Sequence, residues 1–152
     1  MTGRQALWMA TLGSLFMIAG ALAFQYIGGL PPCKMCYWQR YPHIIAIAIG
    51  ALALALSNRA LIMAGAFAAL ITSTIGFYHA GVEQGFWEGP TTCTSQPIGG
   101  LTTDELFDQI MSAPVVRCDE IPWEMLGLSM AAWNGVLSFG LFILWCLALR
   151  RP

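Results

Sequence analysis

Charge is what this chain has least of. Of its 152 residues only 10% are Asp, Glu, Lys or Arg, while 57% are hydrophobic. A soluble domain carries about 25% charged residues, so a water-soluble globular fold is excluded and a membrane protein is expected. A basic cluster is also missing, which removes the electrostatic footprint that a nucleic-acid partner needs. The acids are few and segregated: Glu83, Glu88, Asp104, Glu105, Asp108, Asp119, Glu120 and Glu124 all fall between positions 83 and 124. No ionisable residue is read as lying mid-span in the apolar runs described next, which argues against a small transporter. A second CxxC is absent too, which disfavours a four-thiolate zinc site, and no metal is expected. The length allows one domain, residues 1–152.

What is present is long apolar sequence. A spanning helix needs about 20 such residues, and residues 7–26, 41–56, 60–78 and 128–149 supply them or nearly do. The second stretch reaches that length only by beginning near Trp38, with Arg40 at the headgroup level. The runs are continuous rather than alternating, which selects helices over barrel strands. The expected architecture is an all-α membrane protein, a four-transmembrane-helix bundle. Ala46, Ala48, Gly50, Gly65, Ala69, Gly76, Gly135 and Gly140 would let the helices approach closely, or are ordinary apolar filler.

Residues 57–59 make a tight turn, residues 27–40 a short loop and residues 79–127 a long one. Two spans separate the short loop from the long one, so both face the same side. The side of the termini carries Arg4, Arg59, Arg150 and Arg151, against Lys34, Arg40 and Arg117 on the other. That bias, together with paired thiols suited to an oxidising face, places the termini in the cytoplasm and both loops in the periplasm. A cleaved signal peptide is the alternative for the first span, with Arg4 as its basic region and Ala21-Leu22-Ala23 as the cleavage site; the apolar run is longer than a signal core usually is. In the long loop, Thr102-Thr103-Asp104-Glu105 reads as a capping box. Leu106, Phe107, Ile110 and Met111 follow as one apolar stripe. They make a short amphipathic helix that lies on the membrane surface or packs against the loop's own aromatics.

Five cysteines are present. Cys146, within the last span, reads as a small hydrophobe. The others fall as Cys33-x-x-Cys36 and Cys93…Cys118, one pair in each loop. They are compatible with two inert staples, with a metal site or with a thiol–disulfide relay, and CxxC is a spacing known to depress a thiol pKa. Cys36 stands four residues before Arg40, on one helix face; the helix N-terminus and the guanidinium both favour a thiolate there. Arg40 also suits simple snorkelling to the headgroups. His79 ends the third span at the same level, as an interfacial anchor or as part of a donor-rich pocket with Arg40 and Cys36. Such a pocket at an apolar boundary suits a lipophilic electron acceptor with carbonyl oxygens, a quinone.

The run Pro32-Cys33-Lys34-Met35-Cys36-Tyr37-Trp38-Gln39-Arg40-Tyr41-Pro42 resembles the first outside loop of the bacterial disulfide-bond formation protein B (DsbB) family. Gly76-Phe77-Tyr78-His79-Ala80-Gly81-Val82-Glu83 is similar to that family's third-span end, and Cys118-Asp119-Glu120 with the run from Trp123 to Met130 to its entry into the fourth span. The resemblance implies a multi-pass protein of the bacterial inner membrane. It implies that a periplasmic thioredoxin-fold dithiol oxidase (DsbA-like) docks through Cys93 of a Cys93–Cys118 disulfide. Electrons then reach Cys33–Cys36 and finally a membrane quinone, ubiquinone or menaquinone. Cys33, Cys36, Cys93 and Cys118 would be the catalytic residues, with Arg40, His79 and Met130 around the quinone. A quinone-linked reductase resembling vitamin K epoxide reductase is the alternative within redox chemistry, and a tetraspan subunit with purely structural disulfides the alternative outside it.

Overall fold

Thr2 opens the first helix with a reciprocal cap: its hydroxyl accepts from the Gln5 amide at 3.2 Å, and the Gln5 side chain accepts from the Thr2 amide at 2.8 Å. The computed structural model describes residues 2–94, 100, 102–112 and 116–150. Its elements are α1 (Gly3–Tyr26), α2 (Lys34–Leu56), α3 (Arg59–Glu83), α4 (Thr103–Ser112), β1 (Glu124–Met125), β2 (Leu128–Ser129) and α5 (Met130–Arg150). Four of these helices, α1, α2, α3 and α5, are long and apolar enough to cross a membrane. Their outer faces carry Trp8, Leu15, Phe16, Ile44, Phe67, Leu137 and Ile143 in the open, a surface that only lipid satisfies.

The helices form a ring. α1 lies beside α2 and α5, and α3 beside the same two, so α1 and α3 sit diagonally. The α3–α5 contact is the closest. A Cβ on Gly76 would stand 2.6 Å from the Gly135 amide nitrogen and 2.8 Å from its Cα; two bare backbones touch there, as small-residue packing in membranes allows. Ser73 adds a hydrogen bond of 2.8 Å to the Gly135 carbonyl. Of the small residues noted in the sequence, Ala46, Gly50, Gly65 and Ala69 are also buried, whereas Ala48 and Gly140 face outward and are filler.

The helices overrun the expected spans at the loop-side end. α2 begins two turns before Tyr41, because the Cys33 side chain caps it by accepting the Cys36 amide at 3.2 Å. Pro42 then lies inside the helix rather than at its start. His43, which the sequence reading passed over, comes to lie near the helix middle and corrects the expectation of spans without interior ionisable groups. α3 continues past Tyr78 to Glu83, placing His79 within it. In the long loop α4 forms where the capping box indicates, with Thr102 and Glu105 bonded reciprocally at 2.8 and 3.4 Å. Phe107, Ile110 and Met111 of α4 are exposed rather than packed against the loop's aromatics. The β1–β2 hairpin was not expected. Its turn is Leu126-Gly127, both at positive φ (55° and 76°), and a leucine in that conformation gives no turn signal.

Gly76→Val should lower the melting temperature in detergent by roughly 5–10 °C, because backbone cannot give way to the added side chain as a flexible neighbour would. Gly140→Ala, with nothing within 4 Å of the new Cβ, should leave it unchanged; thermal unfolding of the two variants checks the pair.

Candidate active site

All four loop cysteines gather at one end of the bundle. Cys93 and Cys118 form a disulfide across 25 residues, with Cα atoms 5.4 Å apart. The Cys118 amide also donates to the Cys93 carbonyl at 2.6 Å. Their sulfurs pack with Cys33, Met35 and Val82 in a small apolar cluster. Lys34 ties the two loops together by donating to the Thr92 hydroxyl at 3.1 Å. Cys33 and Cys36 are free thiols with sulfurs 2.6 Å apart, the cap and third residues of α2. Cys146 lies in α5, far along the chain from this cluster.

His79 joins the two pairs. The side chains of Cys33, His79 and Cys118 bring three donor atoms within 4.8 Å of one another. The Gln39 amide nitrogen donates to the Met35 carbonyl at 3.2 Å and lies 2.9 Å from His79 Nδ1. The carbonyl fixes which end of that amide is nitrogen, so Nδ1 accepts and the His79 proton is on Nε2. That N–H meets the Cys118 carbonyl at 3.1 Å, with Cys33 Sγ 3.7 Å away. Glu83, one helical turn on, approaches His79 Nε2 to 3.9 Å and accepts a short hydrogen bond from Ser129.

Arg40 is anchored on α1. Its guanidinium donates to Gln25 Oε1 at 2.6 Å and to the Ala21 carbonyl at 3.3 Å, both on α1, and lies 5.3 Å over the Tyr37 ring. Among the described residues no hydrogen bond joins Arg40 to Cys36; the two share the wall of a cavity instead.

That cavity has a volume of about 760 Å³ and runs between α1, α2, α5 and the loop ahead of β1. Cys33, Cys36, Arg40, His79 and Met130 all line it, so five of the seven residues singled out from the sequence meet there. Cys93 and Cys118 are beside it rather than on its wall. Phe24 and Trp123, with ring centroids 4.9 Å apart, connect α1 to the loop at its rim. The size and mainly apolar wall fit a small lipophilic ligand, and the guanidinium and a reactive sulfur fit the carbonyl oxygens of a quinone. The wall also holds residues the sequence reading missed: Gln39, His43, Glu83 and Asn134. The four-residue spacing of His79 and Glu83, and a polar Asn134 in an apolar run, are the signals that were available.

Comparison with known proteins gives a consistent result. The family described as "Disulfide bond formation protein DsbB" matches residues 3–148. A disulfide bond formation protein B from Albidiferax ferrireducens is 31% identical, covering 96% of this chain and 86% of the relative. One from Haemophilus ducreyi is 33% identical, covering 95% and 84%. An uncharacterized protein, RP370, from Rickettsia prowazekii is 27% identical, covering 91% and 83%. No solved structure matches the chain.

Donation of the Cys33 S–H to the Cys36 sulfur, together with burial, holds the Cys33 thiol well above its ordinary value of 9.0. Folding then favours the protonated thiol. Its stabilising contribution is complete below the pKa of the unfolded thiol and is lost as pH rises beyond it toward the raised folded value. The melting temperature of the dithiol form should therefore decline above about pH 9, and that decline should be weaker in Cys33→Ala; melts from neutral to alkaline pH test it.

Proposed function

Because the chain belongs to the DsbB family of disulfide bond formation proteins, we propose that it reoxidises a periplasmic thioredoxin-fold dithiol oxidase and passes the electrons to a membrane quinone. The observation that carries this reading is the meeting of two cysteine pairs at an apolar cavity. Cys118 lies within 4.8 Å of Cys33, and Cys36 lines the space that Arg40 and Met130 also line. In this reading the protein sits in the bacterial inner membrane with both loops periplasmic and both termini cytoplasmic.

In this reading the exchanges run in an order the distances allow, Cys118 being the sulfur near Cys33. A partner thiolate attacks Cys93, the Cys93–Cys118 bond breaks, and Cys118 leaves as a thiolate. Cys118 then attacks Cys33; the Cys33–Cys36 bond breaks, and Cys36 leaves as a thiolate beside the cavity. The partner's second thiol displaces Cys93 and departs oxidised. Cys93 next displaces Cys33 from Cys118, which restores the Cys93–Cys118 bond and leaves Cys33 and Cys36 reduced. A quinone, when bound, takes up two electrons and two protons. Cys33 and Cys36 supply them as their own disulfide closes again.

His79 serves the second exchange at Cys33 by offering its Nε2 proton to the Cys33 sulfur as Cys93 displaces it from Cys118, and Gln39 holds the ring in that orientation. Arg40 presents positive charge on the cavity wall toward a carbonyl oxygen and the Cys36 sulfur. Cys93 is 1% exposed, so docking of the partner has to uncover it before attack.

Quinone absorbance, followed after the purified protein is mixed with reduced partner and a soluble quinone, tests the reading. Catalytic loss of oxidised quinone is expected, and none should occur with Cys36→Ser, although that variant should still accumulate a mixed disulfide at Cys93. Quinone loss that persists in Cys36→Ser would overturn the assignment. Folded protein inactive with several partners and quinones would point to structural disulfides instead. Arg40→Ala should raise the quinone KM about tenfold or more, since a hydrogen bond from a charged donor contributes roughly 1.5–3 kcal/mol; steady-state kinetics at varied quinone measures it.

A further inference from the structure

Closing the Cys33–Cys36 disulfide requires Cys33 to lose the proton that it directs at the Cys36 sulfur, 2.6 Å away. Cys36 cannot keep that proton, because its own sulfur is the one that Cys33 must join. The titratable groups around the cavity narrow the choice of acceptor. Arg40 and Arg117, both on the wall, are cations with no lone pair to offer. His79 carries its proton on Nε2, and its Nδ1 receives the Gln39 amide. His43 has Nε2 against Asn134 and Ser138, and its Nδ1 is sealed in the interior. Glu120 is exposed and held by Arg117 at 3.1 Å. The group that remains on the wall is Glu83.

The surroundings of the Glu83 carboxyl suit that task. Its side chain is 3% exposed. Oε2 is occupied by the Ser129 hydroxyl, whose oxygen accepts the Ala132 amide at 3.2 Å and so turns its proton toward Glu83. Oε1 has no hydrogen bond among the described residues. The partnerless side-chain atoms sealed from open space there are Ser14 Oγ, His43 Nδ1 and Trp145 Nε1. Oε1 is not one of them, so it still touches open space, and Glu83 borders the cavity. It stands 3.9 Å from His79 Nε2, and Cys33 Sγ stands 3.7 Å from the same nitrogen. Thiol and carboxyl thus flank one imidazole edge, a separation that a single water spans.

We propose that Glu83 accepts the Cys33 proton as the Cys33–Cys36 disulfide closes and hands it to an oxygen of the quinone in the cavity. The inference rests on the quinone reading above and adds to it the route of one proton. The Cys33–Cys36 bond forms and two electrons pass to the ring. The Cys33 proton moves to Glu83 Oε1 and on to one ring oxygen, and the Cys36 proton reaches the other. Glu83 ends the turnover as the carboxylate it began as, so atoms and charge balance.

Reduced protein is mixed anaerobically with ubiquinone-1 at several concentrations. The first phase of quinone absorbance loss gives the maximal closure rate and the half-saturating concentration at each pH. The wild-type rate should fall as pH is lowered, because a protonated Glu83 accepts nothing. Glu83→Gln can still accept from Ser129 but takes up no proton. It should lower the maximal rate about hundredfold or more, flatten the acid limb and leave the half-saturating concentration within about twofold. Glu83→Asp, which keeps a carboxyl, should restore part of the rate together with the acid limb. A wild-type rate or an unaltered acid limb in Glu83→Gln overturns the inference. So does a rate loss that Glu83→Asp shares in full while its melting temperature is unchanged. Wild-type protein that reduces no quinone overturns this inference and the quinone reading together.

Discussion

One buried amide, Gln39, sets the geometry of the whole loop-side end. Its nitrogen reaches Met35 and His79, its side-chain oxygen receives Asn134, and its backbone carbonyl receives the Thr72 hydroxyl at 2.9 Å. Three helices are joined through this single residue. Among apolar helices there is no water to satisfy a misplaced polar atom, so each bond constrains the next. The Met35 carbonyl orients Gln39, Gln39 orients His79, and the Thr72 carbonyl orients Asn134 and through it His43. Interhelical hydrogen bonds in membranes contribute only about 0.6 kcal/mol each on average, with a maximum near 1.7. Their main effect here is to assign direction: every proton in the seam points one way.

The same helix separates two kinds of chemistry by angle. Cys33 caps α2 and faces the loop disulfide and His79. Cys36, Arg40 and His43, spaced four and three residues apart, occupy one stripe along the cavity. A disulfide between the cap residue and the third residue therefore bridges two environments. In the proposed relay one sulfur would exchange with Cys118, which lies within 4.8 Å of it, while the other lies on the same stripe as Arg40 along the cavity. The first turn of a helix, where amide groups point outward and favour negative charge, is a position that makes both sulfurs available without moving the bundle.

Much of this was legible in the sequence, for identifiable reasons. Long uncharged runs announced four helices because a spanning segment has no other way to satisfy its backbone. Loop parity put both cysteine pairs on one side, and the spacing from Cys36 to Arg40 put both on one wall. The helix starts and ends were not legible. A cysteine is a poor N-cap by residue type, so no cap marked α2 as beginning at Lys34, although the Cys36–Arg40 spacing already placed Cys36 at the helix N-terminus. That error concealed His43, which looked like an edge residue and lies in the helix interior. Gln39, Glu83 and Asn134 were missed because their roles depend on contacts between helices, which no local pattern encodes. The hairpin was hidden by Leu126, an apolar residue in a turn conformation usually filled by Asn or Gly.

Burial of the sulfurs has a consequence of its own. Cys93 and Cys118 are 1% and 0% exposed, and Cys33 is 4% exposed. A disulfide reached freely by solvent would exchange with any small thiol, and electrons would enter without oxidising the proper partner. In the proposed relay, exchange would require something able to part Cys93 from the Cys33, Met35 and Val82 packed with it, and a small thiol has no surface with which to do so. The lipophilic cavity imposes the matching restriction at the other end, since a polar oxidant gains nothing from entering a mainly apolar wall. Selectivity at both ends then follows from what can reach each sulfur, and the reactivity of the thiols need not discriminate. In that reading the cost would fall on rate, because each turnover would have to uncover and rebury the loop disulfide. A short chain with few charges can meet that requirement by keeping its polar sequence outside the four spanning helices, which is where all its acids except Glu83 lie.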